Sequence, residues 1–163
     1  MRIVKDAIAQ IKAKMFIPSE GTYLRLLDED RHEYFPGYNE SIQKLLEKDK
    51  CDCCAKGAIF ASCVLNVNKV DGKDKYTEEY FIKSKLKKWF SPLELDMIET
   101  AFEQRIVIDT TDKLENNNYD EWGDPTPTKL AEKCIKFGIK YNNSKKRLIA
   151  ILENVLKNKK FKP

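Results

Sequence analysis

Three cysteines crowd into four positions, Cys51, Cys53 and Cys54, and they are the densest group of reactive side chains in the chain. Cys51 and Cys54 form a C-x-x-C, a spacing that serves either tetrahedral zinc or dithiol redox chemistry. A zinc site needs thiolates or imidazoles at four corners. The remaining corners would have to come from His32, Cys63 or Cys134, none of which is paired at finger-like spacing. The redox alternative needs the motif at a helix N-terminus in a strand-helix-strand setting, which the surrounding sequence does not suggest. Cys54 and Cys63 are therefore read as small core residues, and Cys51 and Cys53 are placed near a helix start. Reduced thiols, no metal and no cofactor are the expectation.

His32 is the single histidine, inside the charged run Asp28-Glu29-Asp30-Arg31-His32-Glu33. One histidine excludes every two-histidine metal motif, H-E-x-x-H included, and the run lacks the glycine of a calcium loop. It reads as solvated surface, with a small metal-dependent enzyme built around it as a distant alternative. The chain contains no G-x-x-x-x-G-K-[ST], no G-x-G-x-x-G and no G-x-S-x-G. Nucleotide-dependent and hydrolase chemistry of those kinds is unsupported, and no catalytic residue is assigned.

The binding candidates are of two types. Tyr119 and Trp122 stand among Asp120, Glu121 and Asp124, and such aromatics are favoured anchors for a protein partner. In the alternative reading Trp122 folds back onto the core as a lid. Lys145, Lys146 and Arg147 open the last expected helix, and Lys157, Lys159, Lys160 and Lys162 follow it. That surface could neutralise phosphates. No aromatic interleaving or groove-reading motif accompanies it, and lysines at a helix C-terminus also complement the helix dipole.

Charge along the chain is uneven although its total is only +4. Residues 91–128 carry net −8 and residues 129–163 carry net +9. The two segments either face each other across the fold or address separate partners.

The elements that must position these groups are mostly helical. Ile3, Val4, Ala7, Ile8, Ile11 and Met15 fall on one face of a helix over 2–15, which Pro18 stops. Residues 22–27 fit a short strand or a helical turn. Asn39 can cap a helix to about 48, and residues 53–65 form the candidate central helix, whose small residues admit a close neighbour. A charged helix covers about 77–88. Ser91, Pro92 and Glu94 then make a capping box with a staple from Phe90 and Leu95, followed by Ile98, Ala101, Phe102 and Ile106 on the inward face. Residues 109–126 form a long irregular loop. Pro127 opens the next helix, and 142–144 both end it and cap the last one, over about 145–157.

At 163 residues with 34% charged and 42% hydrophobic residues, the expectation is an all-α, irregular bundle of six or seven helices around one core, a single domain over 1–163. The N-terminus lacks the apolar block of a signal peptide and no stretch reaches the length of a membrane span, so a soluble, cytoplasmic protein without membrane contact is expected.

Cys51 to Ser62 (C-x-x-C-A-x-G-A-x-F-x-S), Phe90-Ser91 with Leu95, Ile98-Glu99 and Ala101-Phe102-Glu103, and Arg147 to Ile151 with Glu153-Asn154 together resemble small uncharacterised proteins of bacteria and their phages. The resemblance implies an accessory role and carries no activity. The expected function is binding of a protein partner without catalysis, with a nucleic-acid-binding accessory protein as the alternative.

Overall fold

A computed structural model describes residues 1–27, 46–67, 86–105 and 129–163. Within them the chain is mostly helical, but it also carries a three-stranded sheet, which corrects the purely α expectation.

Helix α1, Arg2–Lys12, buries Ile3, Val4, Ala7, Ile8 and Ile11, the stripe that its periodicity predicts. It ends earlier than the apolar pattern suggests. Lys14 takes the left-handed conformation (φ 64°), its N–H donates to Ile11 O at 3.3 Å, and the Met15 N–H reaches back to Gln10 O at 3.0 Å. This pair of bonds is a Schellman motif, and it turns Met15 out of the helix into the sheet.

Strands β1 (Phe16–Pro18), β2 (Leu24–Leu27) and β3 (Lys50–Cys53) pair in the order β1-β3-β2. The β1 to β3 pair is parallel and the β2 to β3 pair antiparallel. Phe16, Cys51 and Leu26 lie across one register row, all buried on the core face. Side chains alternate along a strand, so Asp52 falls on the opposite face, where it pairs with Arg25. Cys51 and Cys53 thus belong to a strand, not to the helix start expected for them.

Helix α2, Ala55–Val67, follows β3 directly. Its Ala55, Ala58, Ile59, Ala61 and Ser62 have no exposed surface, and α1 packs along it. Its small residues admit more than a helix. A Cβ added at Gly57 would lie 1.7 Å from the Tyr23 carbonyl oxygen, so the backbone leading into β2 rests directly on this helix.

Helix α3, Pro92–Glu103, begins as expected: Ser91 Oγ accepts from the Glu94 N–H at 3.1 Å, with Pro92 at the first helical position. Phe90 and Leu95 are both buried, as a staple requires. The capping box is not closed. Glu94 Oε1 accepts instead from the Phe161 N–H at 2.9 Å, because the C-terminal tail crosses the helix start and presents an amide there. Phe161 itself is buried, edge-on to Phe137.

Helix α4, Lys129–Gly138, packs on α3, and a Cβ at Gly138 would lie 1.9 Å from Ala101 O. Helix α5, Ser144–Asn158, starts where the Asn143 side chain accepts from the Lys146 N–H at 3.1 Å. It buries Leu148, Ile151, Leu152 and Val155. The apolar side chains of all these elements form one buried cluster.

Of the helix expected to 48, residues 46–48 are helical with Leu46 buried. The rest of it, most of the helix over 77–88, Ile106 and the loop over 109–126 fall outside the described residues. Among the described residues no helix is long and apolar enough to cross a membrane.

Gly57 and Gly138 each hold a backbone carbonyl where a side chain would stand. Gly57→Ala and Gly138→Ala are each expected to lower stability by about 2 kcal/mol or more, since the overlap is with main chain that cannot rotate away. Urea unfolding of the two variants checks this, and unchanged midpoints would contradict the close approaches.

Candidate partner-binding groove and the buried polar seam

The thiols are placed first. All five cysteines are buried and none is in a disulfide. Cys54 immediately precedes α2, and its Sγ accepts from the Gly57 N–H at 3.4 Å, the position a capping serine would take. Burial is the main cause that pushes this thiol well above its usual range, and the neighbouring Glu99 adds to it. Cys53 is raised by its hydrogen bond with Cys51 and by burial, and Cys134 by burial to about 11. A nucleophilic or metal-binding cysteine is a thiolate, and these environments hold the proton on. Among the described residues no group of three or more His, Cys, Asp or Glu side chains converges as a metal site. His32 lies outside the described residues.

One face of α3 is acidic and turned inward. Asp96 pairs with Lys56 at 2.8 Å. One turn on, Glu99 Oε2 accepts from the Lys56 N–H at 3.0 Å, which satisfies one of the orphan donors at the start of α2. Burial raises the Glu99 carboxyl, while its bonds to Cys54 and to the Lys56 N–H pull it partly back. A further turn on, both oxygens of Glu103 accept from the Gly21 N–H at 2.9 Å. Gly21 is the left-handed residue (φ 74°) of the turn between β1 and β2. Glu99 and Glu103 thus bind backbone N–H groups of α2 and of the turn between β1 and β2.

Arg147 completes this seam, and its position corrects the reading of Lys145, Lys146 and Arg147 as one exposed cluster. Its side chain is only 5% exposed. Nη1 donates to Phe102 O at 2.9 Å and pairs with Glu20 Oε1, while Nε and Nη2 donate to Tyr141 O at 3.2 and 2.9 Å. The guanidinium therefore caps the C-terminal end of α3, where a cation complements the helix dipole. It also ties down the link between α4 and α5 and the turn before β2. Lys146 is exposed and points away from this node, and Lys145 is half-buried at the edge of a groove. Tyr119 and Trp122 fall outside the described residues.

That groove has a volume of about 460 Å³ and runs along β1, between the C-terminal end of α1 and the start of α5. Ile17 and Pro18 form its apolar wall, and Ile11 and Phe16 lie at its base. Lys14, Lys50 and Lys145 line it from three separate parts of the chain, and among the described residues none of them is ion-paired. Asn143 and Ser144 also line it, but their side chains are committed, one to capping α5 and the other to Glu20 at 2.9 Å. What remains uncommitted in the lining is positive. Lys14 and Lys50 are not identifiable as site residues from their own segments, since they lie far apart in the chain and the helical pattern runs on through Lys14.

The buried and the open members of the basic triplet should respond differently to truncation. Arg147→Ala is expected to cost about 3–5 kcal/mol, because it leaves buried partners unmet. Lys145→Ala and Lys146→Ala should each stay within about 0.5 kcal/mol of the parent. Equal, small effects of all three in urea unfolding would return Arg147 to the surface.

Comparison with protein-family models, with curated proteins and with solved structures finds no match to this chain.

Proposed function

We propose that this chain is a non-enzymatic accessory protein that binds a protein partner through the groove beside β1. The observation that carries the reading is that Lys14, Lys50 and Lys145 line one groove with the apolar Ile17 and Pro18, and that among the described residues none of the three is ion-paired. Elsewhere among the described residues, the charged side chains that are buried, Glu99, Glu103 and Arg147, are already committed. These three hold backbone groups, and the thiols are buried, with those of Cys53, Cys54 and Cys134 pushed up. Residues fixed in this way support a scaffold, not general acid-base or nucleophilic chemistry.

A mixed apolar and cationic lining suits a protein surface better than nucleic acid. Phe16 is the one aromatic residue in the groove lining and is 1% exposed, so it offers no face for a base to stack on. Three lysines alone would give salt-sensitive phosphate contacts without sequence selection. The bacterial or phage origin rests on the resemblance of the segments around Cys51–Ser62, Phe90–Glu103 and Arg147–Asn154. A cytoplasmic setting is part of the proposal, supported by five cysteines of which none is in a disulfide, as suits a reducing compartment.

The test is affinity capture with a charge-reversed groove. Protein carrying Lys14→Glu, Lys50→Glu and Lys145→Glu is compared with the parent and with a Lys133→Glu, Lys136→Glu control on the exposed face of α4. A protein held by the parent and by the control, and lost by the groove variant, is the expected result. Capture indifferent to the groove charges, or nucleic acid as the main species in the eluate by absorbance ratio, would overturn the reading.

A further inference from the structure

We propose that the groove receives an acidic segment of the partner as side chains and not as an added β-strand, an inference that rests on the reading just given and names its partner's chemistry. An apolar residue of that segment would sit against Ile17 and Pro18, and its carboxylates would meet Lys14, Lys50 and Lys145.

The edge of the sheet works against the main-chain mode. The Cys51 N–H donates to Met15 O and the Ser19 N–H donates to Cys53 O. In a parallel ladder of this register, alternate residues of β1 therefore face β3, and Phe16 and Pro18 turn their backbone groups to the other side, which among the described residues is the edge of the sheet. Pro18 has no N–H to give, and a proline on an edge strand stops a further strand from pairing. Strand addition draws its affinity from main-chain hydrogen bonds, so an extended peptide finds little here.

The side-chain mode remains open. Lys14 follows the end of α1, Lys50 opens β3 and Lys145 lies in the first turn of α5, and all three line the groove together with Ile17 and Pro18. A carboxylate-bearing segment satisfies them, and its apolar residue removes the exposed faces of Ile17 and Pro18 from water. The neighbouring Glu20 does not compete for these lysines, because it is held by Arg147 and Ser144.

Lys14 supplies a variant whose loss of charge cannot be confused with unfolding. It is the left-handed residue that ends α1, a position where glycine is favoured over any residue with a Cβ. Lys14→Gly should therefore raise the melting temperature while removing one groove charge.

The experiment is fluorescence anisotropy with four dye-labelled probes. They are a short peptide of alternating leucine and glutamate, its serine-for-leucine and glutamine-for-glutamate versions, and a single-stranded DNA oligonucleotide of similar length. The leucine-glutamate peptide is expected to bind tightest. Lys14→Gly combined with Lys145→Gln should weaken it about fivefold or more, with Lys14→Gly alone no less stable than the parent. Tighter binding of the oligonucleotide, equal binding of the glutamine peptide, or indifference to the lysine variants would overturn the inference. If affinity capture depends on the groove charges but no acidic peptide binds, this inference falls and the docking reading stands.

Discussion

A guanidinium shielded from water must have its donors met by protein, and Arg147 meets that requirement with groups from three places in the chain. Phe102 O ends α3, Tyr141 O belongs to the link before α5, and Glu20 lies in the turn between β1 and β2. An unmet buried donor costs about 1–3 kcal/mol, and more when it is charged. The low-energy arrangement is therefore one in which the end of α3, the start of α5 and that turn stay together. The groove beside β1 depends on this in part: one of its sides is the start of α5, which Arg147 holds in place.

The acidic face of α3 does the complementary work. Asp96, Glu99 and Glu103 project from successive turns toward Lys56, the start of α2 and Gly21. A buried carboxylate is costly unless donors surround it, and here the donors are backbone amides left over at a helix start and a tight turn. The polar seam and the apolar cluster thus specify one geometry together. The apolar faces bring α1, α2, α3 and α5 to a common core, and the carboxylates fix how the small sheet sits against it. The strongly negative segment 91–128 is, in its described part, an internal fastening as much as a surface.

Helices were readable from the sequence because their information is local. The apolar stripe of α1, the Ser91 cap with Pro92, and Asn143 before α5 each lie within a few residues of what they specify. The sheet was not readable in that way. Its strands are three or four residues long, and β1 pairs with a segment beyond position 50 in a parallel ladder, so neither length nor a hairpin turn announces it. Lys50-Cys51-Asp52-Cys53 does alternate polar and apolar, a signal that the cysteine spacing obscured. Arg147 was also legible in principle. It precedes Ile151 by four residues and so shares the edge of the apolar stripe, whereas Lys146 lies on the far side of the helix. The groove could not be seen beforehand, since its lysines come from segments that only the fold brings together.

The central claim is that the turn around Gly21 is clamped from below by Glu103 and from the side by Arg147 acting on Glu20. Amide hydrogen exchange at Gly21 tests it most directly. Gly21 is solvent-exposed in an irregular turn, where an amide without a partner would exchange at close to the rate of an unfolded chain. The account predicts strong protection, comparable to that of the buried helices and sharply reduced by Glu103→Gln. Fast, unprotected exchange at Gly21 in the parent protein would contradict it.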